Sequence, residues 1–259
     1  MPAPDLPALT LANAPAWRHW LSQNSTSSKG VWLTIANKGV TKATSLTYLE
    51  ALDEALCYGW IDSRGRKRDD TTHTFRFTPR AAKGMWSKRN VGFVERLIEE
   101  GKMQPGGLAT IEAAKADGRW DAAYSGPASA EVPGWFLDAV EANDKAMETW
   151  EKLNRGNRYA IYMRLVGLRT GKGRERATRG FVEMLARGEA LVPQKGLGVY
   201  EGKGKKRKAG GDVEVVEEKV DDVEQKVDED LGETDLPTAP APVRTTRSRR
   251  KAASYKGQA

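Results

Sequence analysis

The chain has 259 residues, 39% of them hydrophobic, one cysteine, two histidines and a formal net charge of +7. A single cysteine excludes an internal disulfide framework and, with so few histidines, a usual zinc site; it points to a reducing compartment. No apolar stretch is long enough to span a bilayer and the Pro/Ala-rich start lacks a secretory h-region, so a soluble protein of the nucleus or cytoplasm, with no membrane partner, is expected.

Aromatic residues are unevenly spread. All eight tryptophans lie at or before Trp150 and the last phenylalanine is Phe181, whereas the sequence beyond Pro193 fills with glycine and charge. A folded region of about 190 residues, ample for a core, is expected ahead of a tail. From Glu201 onward thirteen basic and thirteen acidic residues cancel. The positive excess therefore belongs to the folded part, which suits a small anion, an acidic protein or nucleic acid.

Residues 1–15 read as a loose N-terminus. Trp17, Trp20 and Leu21 fit one face of a short helix. Val31 to Ile35 form a β-prone centre between glycines. In "SLTYLEALDEALCYG", Thr47 and Glu50 have capping-box spacing, Leu46, Leu49, Leu52 and Leu56 make an apolar stripe, and Gly59 suits the position after the helix. Trp60 to Lys67 and Thr72 to Thr78 read as two strands joined around Asp69 and Asp70, with His73, Phe75 and Phe77 alternating against Thr74, Arg76 and Thr78. "WSKRNVGFVERLIEEGK" predicts a helix capped by Ser87 and closed by Gly101, and Pro105-Gly106-Gly107 predicts a break before a short helix around Ile111. From Pro133 the pattern is helical, through Phe136, Val140, Trp150, Ile161 and Leu165 to a last helix carrying Ala177, Phe181 and Leu185.

The fold expected is α+β. A small antiparallel sheet with packed helices occupies 16–128, a helical module 129–192, and a disordered charged tail 193–259. Within the tail, Lys205, Lys206, Arg207 and Lys208 resemble a nuclear-localisation signal, and nucleic acid is a partner the tail would suit. Val213, Val216, Val220, Val223 and Val227 follow a heptad seam that is too short to hold a helix alone.

The segments "GVWLTIANKG", "LTYLEALDEALCYGWIDSRGRKRDD", "FRFTPR", "WSKRN", "LIEEGKMQPGG" and "AKADGRWDAAY" occur in that order. Together they resemble the YdeI/OmpD-associated, or bacteriocin-protection, family over roughly residues 15–190, with Pro133 to Gly188 similar to its helical module. The resemblance implies a compact α+β front half and an association with stress or bacteriocin protection. It implies no agreed reaction and no cofactor. Gly171 and Gly173 depart from the helix-to-helix run usual there.

Three chemistries remain to be weighed on the residues. Cys57 lies at the edge of the leucine stripe with no base in a recognisable motif, so it reads as a buried, inert thiol rather than a nucleophile. Asp53 points inside that stripe and reads as a buried carboxylate paired with Arg64, Arg76 or Arg80, with proton transfer as the functional alternative. The widest constellation is a basic face. Strand alternation presents Trp60, Asp62, Arg64 and Arg66, the neighbouring strand adds Arg76, and Arg80, Trp86, Ser87, Lys88 and Arg89 follow. The helix start at Ser87 offers backbone N–H groups and two cations, a ready phosphate or carboxylate site walled by Trp60 and Trp86. No Walker loop, Ser-His-Asp set or metal-ligand spacing occurs, so no cofactor or metal is expected. The expectation is a non-catalytic intracellular binding or stress-protection protein. Two other readings stay open: an enzyme on a small anionic substrate using Asp53 with Arg76 or Arg80, and a nucleic-acid-associated nuclear protein.

Overall fold

The computed structural model describes residues 6–201. Its front half starts from a short strand, β1 (Ala8–Leu9), and α1 (Ala14–Asn24), then alternates β2 (Val31–Ala36), α2 (Tyr48–Cys57), β3 (Trp60–Lys67) and β4 (Thr72–Pro79) before α3 (Lys88–Glu99) and α4 (Pro105–Ala116). The strands make one mixed sheet in the order β1-β2-β4-β3. β4 pairs antiparallel with both β2 and β3, as the alternation predicts, but β1 joins β2 in parallel. The α+β architecture with a small sheet is as expected; the sheet is mixed rather than antiparallel throughout, because Ala8–Leu9, within the segment read as a loose N-terminus, pairs with β2. The prolines there misled, because a proline still accepts at a sheet edge: Trp32 N–H donates to the Pro7 carbonyl at 2.9 Å.

Local signals placed the helices of this half. In α2 the Thr47 and Glu50 side chains bond reciprocally to each other's backbone N–H, completing the capping box, and Gly59 follows at φ +77°. Leu46, Leu52 and Leu56 of the stripe, with Trp17 and Leu21 of α1, are buried over one sheet face while Leu49 is half-buried; Trp17 lies 5.7 Å from Phe77 and its indole donates to the Ala51 carbonyl. Burying side chains of this size contributes about 1.5–3 kcal/mol each. One break was misread. Pro105-Gly106-Gly107 does not precede α4 but forms its first turn, because proline's missing N–H costs nothing at that position.

The helical module comprises α5 (Gly134–Glu141), α6 (Asp144–Lys152), α7 (Arg155–Leu165) and α8 (Gly171–Ala186). Phe136, Val140, Trp150, Ile161, Leu165, Met184 and Leu185 close a second core. Gly171 and Gly173 sit in the first turn of α8 behind an N-cap, Thr170, whose hydroxyl accepts from Gly173 N–H. The ordered chain then runs past residue 193. β5 (Glu189–Ala190) pairs in parallel with β6 (Gly198–Val199), and the Gln194 side chain is bonded to both Asn154 N–H and the Lys152 carbonyl. The ordered chain therefore reaches beyond residue 193, where the tail is expected to begin, since backbone and amide hydrogen bonds, with Leu197 and Tyr200 packed against the second core, hold this stretch. The rest of that expectation, with the valine seam and Lys205, Lys206, Arg207 and Lys208, lies outside the described residues.

Candidate anion site

The ten residues read from sequence as one basic face are divided between two sides of the sheet. Register explains the division. Trp60 and Asp62 lie opposite Pro79 and Phe77, but a bulge between Asp62 and Gly65 shifts the pairing, so that Arg66 lies opposite Thr74. Asp62 consequently shares the core-facing row with Phe77, whereas Arg66 and Arg76 take the other face with Trp32, which is the register partner of Arg76. Arg66 stacks 4.2 Å over Trp32 and donates from Nε to the Thr74 hydroxyl. Arg64 is exposed within the bulge. Trp60 is no ligand wall: it is buried against Trp17 and Trp20, with its indole N–H on the Ser25 carbonyl.

The helix start at Ser87 forms as predicted, with the Ser87 hydroxyl accepting from Asn90 N–H at 3.1 Å. Its capacity for an external anion is reduced, because Lys88 N–H donates to the Tyr124 carbonyl at 2.8 Å. Two of the first-turn donors are thus engaged within the chain. Tyr124 N–H returns a bond to the Trp86 carbonyl, which locks this helix start to the segment after α4. Lys88 points to solvent, and Arg89 is half-buried over the Phe93 ring.

What the structure does assemble is a cleft beside Arg80 and Trp86. Arg80 follows β4, its backbone N–H held by the Gly59 carbonyl. Its guanidinium lies 3.7 Å over the fully buried Trp86 ring and donates from Nη1 to the Met85 carbonyl, while Nε is buried without a partner. Burial pulls its pKa down to about 10, with the neighbouring Arg119 charge adding to the effect and Tyr124 and Asp62 opposing it. No carboxylate of the described residues forms an ion pair with Arg80. Thr110 and Ala113 of α4 face it across a cleft of about 280 Å³, and Arg119 completes the lining. Arg119 is only 8% exposed; it binds Asp117 through Nε at 2.7 Å and donates from Nη1 to the Gly84 carbonyl.

Arg119 and Thr110 were missed in the sequence. Arg119 had a weak signal, since "DGRW" places a turn glycine, Gly118 at φ +75°, immediately before it. Asp62 of β3 is a half-buried carboxylate on the core-facing row. Although part of the residue reaches solvent, burial pushes its pKa up, against the Tyr48 hydroxyl donating to Oδ2 at 2.9 Å and the Arg89 and Arg80 charges. Its place was readable from alternation with buried Trp60.

Asp53, expected to be buried and paired with Arg64, Arg76 or Arg80, is neither. Its side chain is 26% exposed and takes a bidentate bond from Arg96 of α3, both contacts at 2.7 Å. A helical wheel places a side chain by direction alone, and α3 meets α2 along that edge with an arginine. Asp53→Ala should therefore destabilise the protein by no more than about 1 kcal/mol in urea melts, as for a partly solvated pair. A loss several times larger would return Asp53 to the core. With its carboxylate on Arg96, Asp53 is not arranged for proton transfer beside Arg76 or Arg80.

Cys57 is 1% exposed, and burial raises its thiol pKa to about 11, with the Glu54 charge adding to the effect. Native protein at pH 8 should react with a disulfide reagent at least ~100-fold more slowly than protein unfolded in guanidinium, from loss of thiolate alone. Comparable rates would contradict its burial. Among the described residues no group of three His, Cys, Asp or Glu side chains could hold a metal ion, and no helix is long and apolar enough to cross a membrane.

Comparison with known proteins divides the chain in the same way as its two cores. Residues 129–188 match the family described as bacteriocin-protection, YdeI or OmpD-associated, and residues 9–110 match a domain of unknown function, DUF8412. No curated protein and no solved structure matches the chain. The bacteriocin-protection likeness read over residues 15–190 thus holds for the helical module; the front-half motifs up to "LIEEGKMQPGG" fall in the other matched segment, and "AKADGRWDAAY" lies between the two.

Proposed function

We propose that the protein is a non-catalytic binding protein that takes a small anion in the Arg80–Trp86 cleft, with a helical module of the bacteriocin-protection type behind it. The observation that carries this reading is Arg80 itself. A half-buried guanidinium with its Nε unpartnered and no carboxylate in ion-pair contact is only partly compensated, by the more distant charge of Asp62, and a bound oxyanion would supply the missing contact. The Trp86 ring fixes the guanidinium from below, so little side-chain freedom is lost on binding. The 129–188 match supports the bacteriocin-protection part of this reading, and the single buried thiol is in keeping with an intracellular setting.

The test is a melting-temperature titration of the full chain with phosphate, sulfate and acetate, in parallel with Arg80→Met. Sulfate and phosphate raise the melting temperature of many proteins by exclusion from the surface, so the informative quantity is the difference between the two chains. At an anion concentration of about 100 Kd the wild type should gain about 2.7 kcal/mol that Arg80→Met does not. Without anion the two should differ by less than about 1 kcal/mol, because a lost cation–π contact is offset by relief of an unpaired charge. Identical anion responses would overturn the reading.

A further inference from the structure

A second, larger cleft of about 600 Å³ lies where the front half meets the helical module, lined by Lys83, Met85, Asp117 and Arg119 on one side and Arg169 and Arg174 on the other. Four cations face one carboxylate there, and that carboxylate, Asp117, is held by Arg119 through both oxygens. Apart from the Arg119–Asp117 pair, the guanidiniums are oriented by neutral acceptors. Arg119 Nη1 donates to the Gly84 carbonyl at 2.9 Å, Arg169 Nη1 to the Asp117 carbonyl at 3.0 Å, and Arg174 Nε to the Leu168 carbonyl at 3.1 Å. Backbone carbonyls fix the direction of a guanidinium without cancelling its charge, which leaves a net positive, pre-arranged lining. Met85, 45% exposed, and Leu168 add apolar surface beside the charges.

We infer that this junction cleft binds a small phosphate monoester whose organic body is compact and apolar. A dianionic head suits convergent arginine forks better than a single carboxylate does, and the volume is that of a ligand rather than of a lone ion. Head and body would engage residues from both halves of the chain at once, tying the two matched segments together. The inference goes beyond the Arg80 site and stands if that site fails.

The experiment uses the full chain and phenyl phosphate, with inorganic phosphate and phenol as controls, followed by calorimetric titration and by the arginine side-chain NMR signals. Phenyl phosphate should bind at least tenfold more tightly than inorganic phosphate, phenol should not bind, and Arg169→Gln with Arg174→Gln should weaken phenyl phosphate binding at least tenfold. The titrations are run in parallel on Arg80→Met, which removes the cation of the smaller cleft; the Arg169 and Arg174 signals should still shift with phenyl phosphate there, and binding lost in that variant alone belongs to the Arg80 cleft. Should the double variant fail to fold, Lys83→Gln, at an exposed position, replaces it with an expected loss of about threefold. Equal affinity for phenyl phosphate and inorganic phosphate, or a double variant that binds as wild type does, would overturn the inference. So would a tight phosphopeptide beside no binding of phenyl phosphate.

Discussion

Gly107→Ala should destabilise the protein by about 3 kcal/mol, the upper end of what overpacking costs. The cause is a close approach of two helices. A Cβ at Gly107 would fall well inside contact with the Cys57 carbonyl oxygen, and 2.8 Å from its carbon, at the C-terminus of α2. Backbone cannot rotate aside as a side chain can, so α4 would have to lift. Lifting it also threatens the bond from Gln104 N–H to that same carbonyl. Gly92→Ala is the internal control. It lies within α3 with nothing within 4 Å of the new methyl, so it should gain about 0.5–1 kcal/mol from helix propensity. Urea melts of both variants decide the matter: a Gly107→Ala loss as small as 1 kcal/mol would mean that α4 is not seated on Cys57. Since Thr110 and Ala113 of α4 line the Arg80 cleft, the same variant should also weaken anion binding.

Features that rest on neighbours in sequence were legible, and those that rest on distant partners were not. The α2 capping box, the Ser87 cap and the alternation of β4 are set within a few residues, and each stands as the sequence indicates. The bulge in β3 is different. Gly65 permits it because the Phe75 ring occupies the space a Cβ would take, 2.7 Å away, and nothing in "DSRGR" names Phe75. That slip of register sends Arg66 to the opposite face from Asp62, and so dissolves the basic face expected from simple alternation.

The candidate site shows the same contrast. Arg80 and Trp86 were recognisable because "TPR" and "WSKRN" concentrate charge and aromatic surface at the end of a strand. Their completion by Arg119, and the engagement of the Ser87 helix start by Tyr124, involve contacts across more than thirty residues. Asp53 and Arg96 are 43 positions apart. Composition correctly placed a net positive charge on the folded part, but only packing decides which cation lacks a partner.

Trp86→Ala should be the most damaging of the substitutions at the site, costing about 3–5 kcal/mol as a large buried aromatic truncated to a methyl. Trp86 is 2% exposed, and its ring meets Trp120 at 5.0 Å on one side and the Arg80 guanidinium at 3.7 Å on the other. Truncation therefore opens a cavity and removes the floor on which the cation rests. Loss of fold alone would not identify a ligand site, so the informative variant is Trp86→Phe. It keeps a ring under Arg80 and should cost roughly half as much stability as Trp86→Ala. Its anion affinity should fall only a few-fold, because the guanidinium keeps its place and charge. Arg80→Met gives the reverse order: nearly unchanged stability and no anion-dependent gain. Plotting stability in buffer against the anion-dependent rise in melting temperature for the two variants tests the division of roles directly. If both variants fall on one line, with affinity tracking stability, Arg80 acts through the fold and the cleft is packing rather than a site. If they cross, Trp86 positions the cation and Arg80 binds the anion.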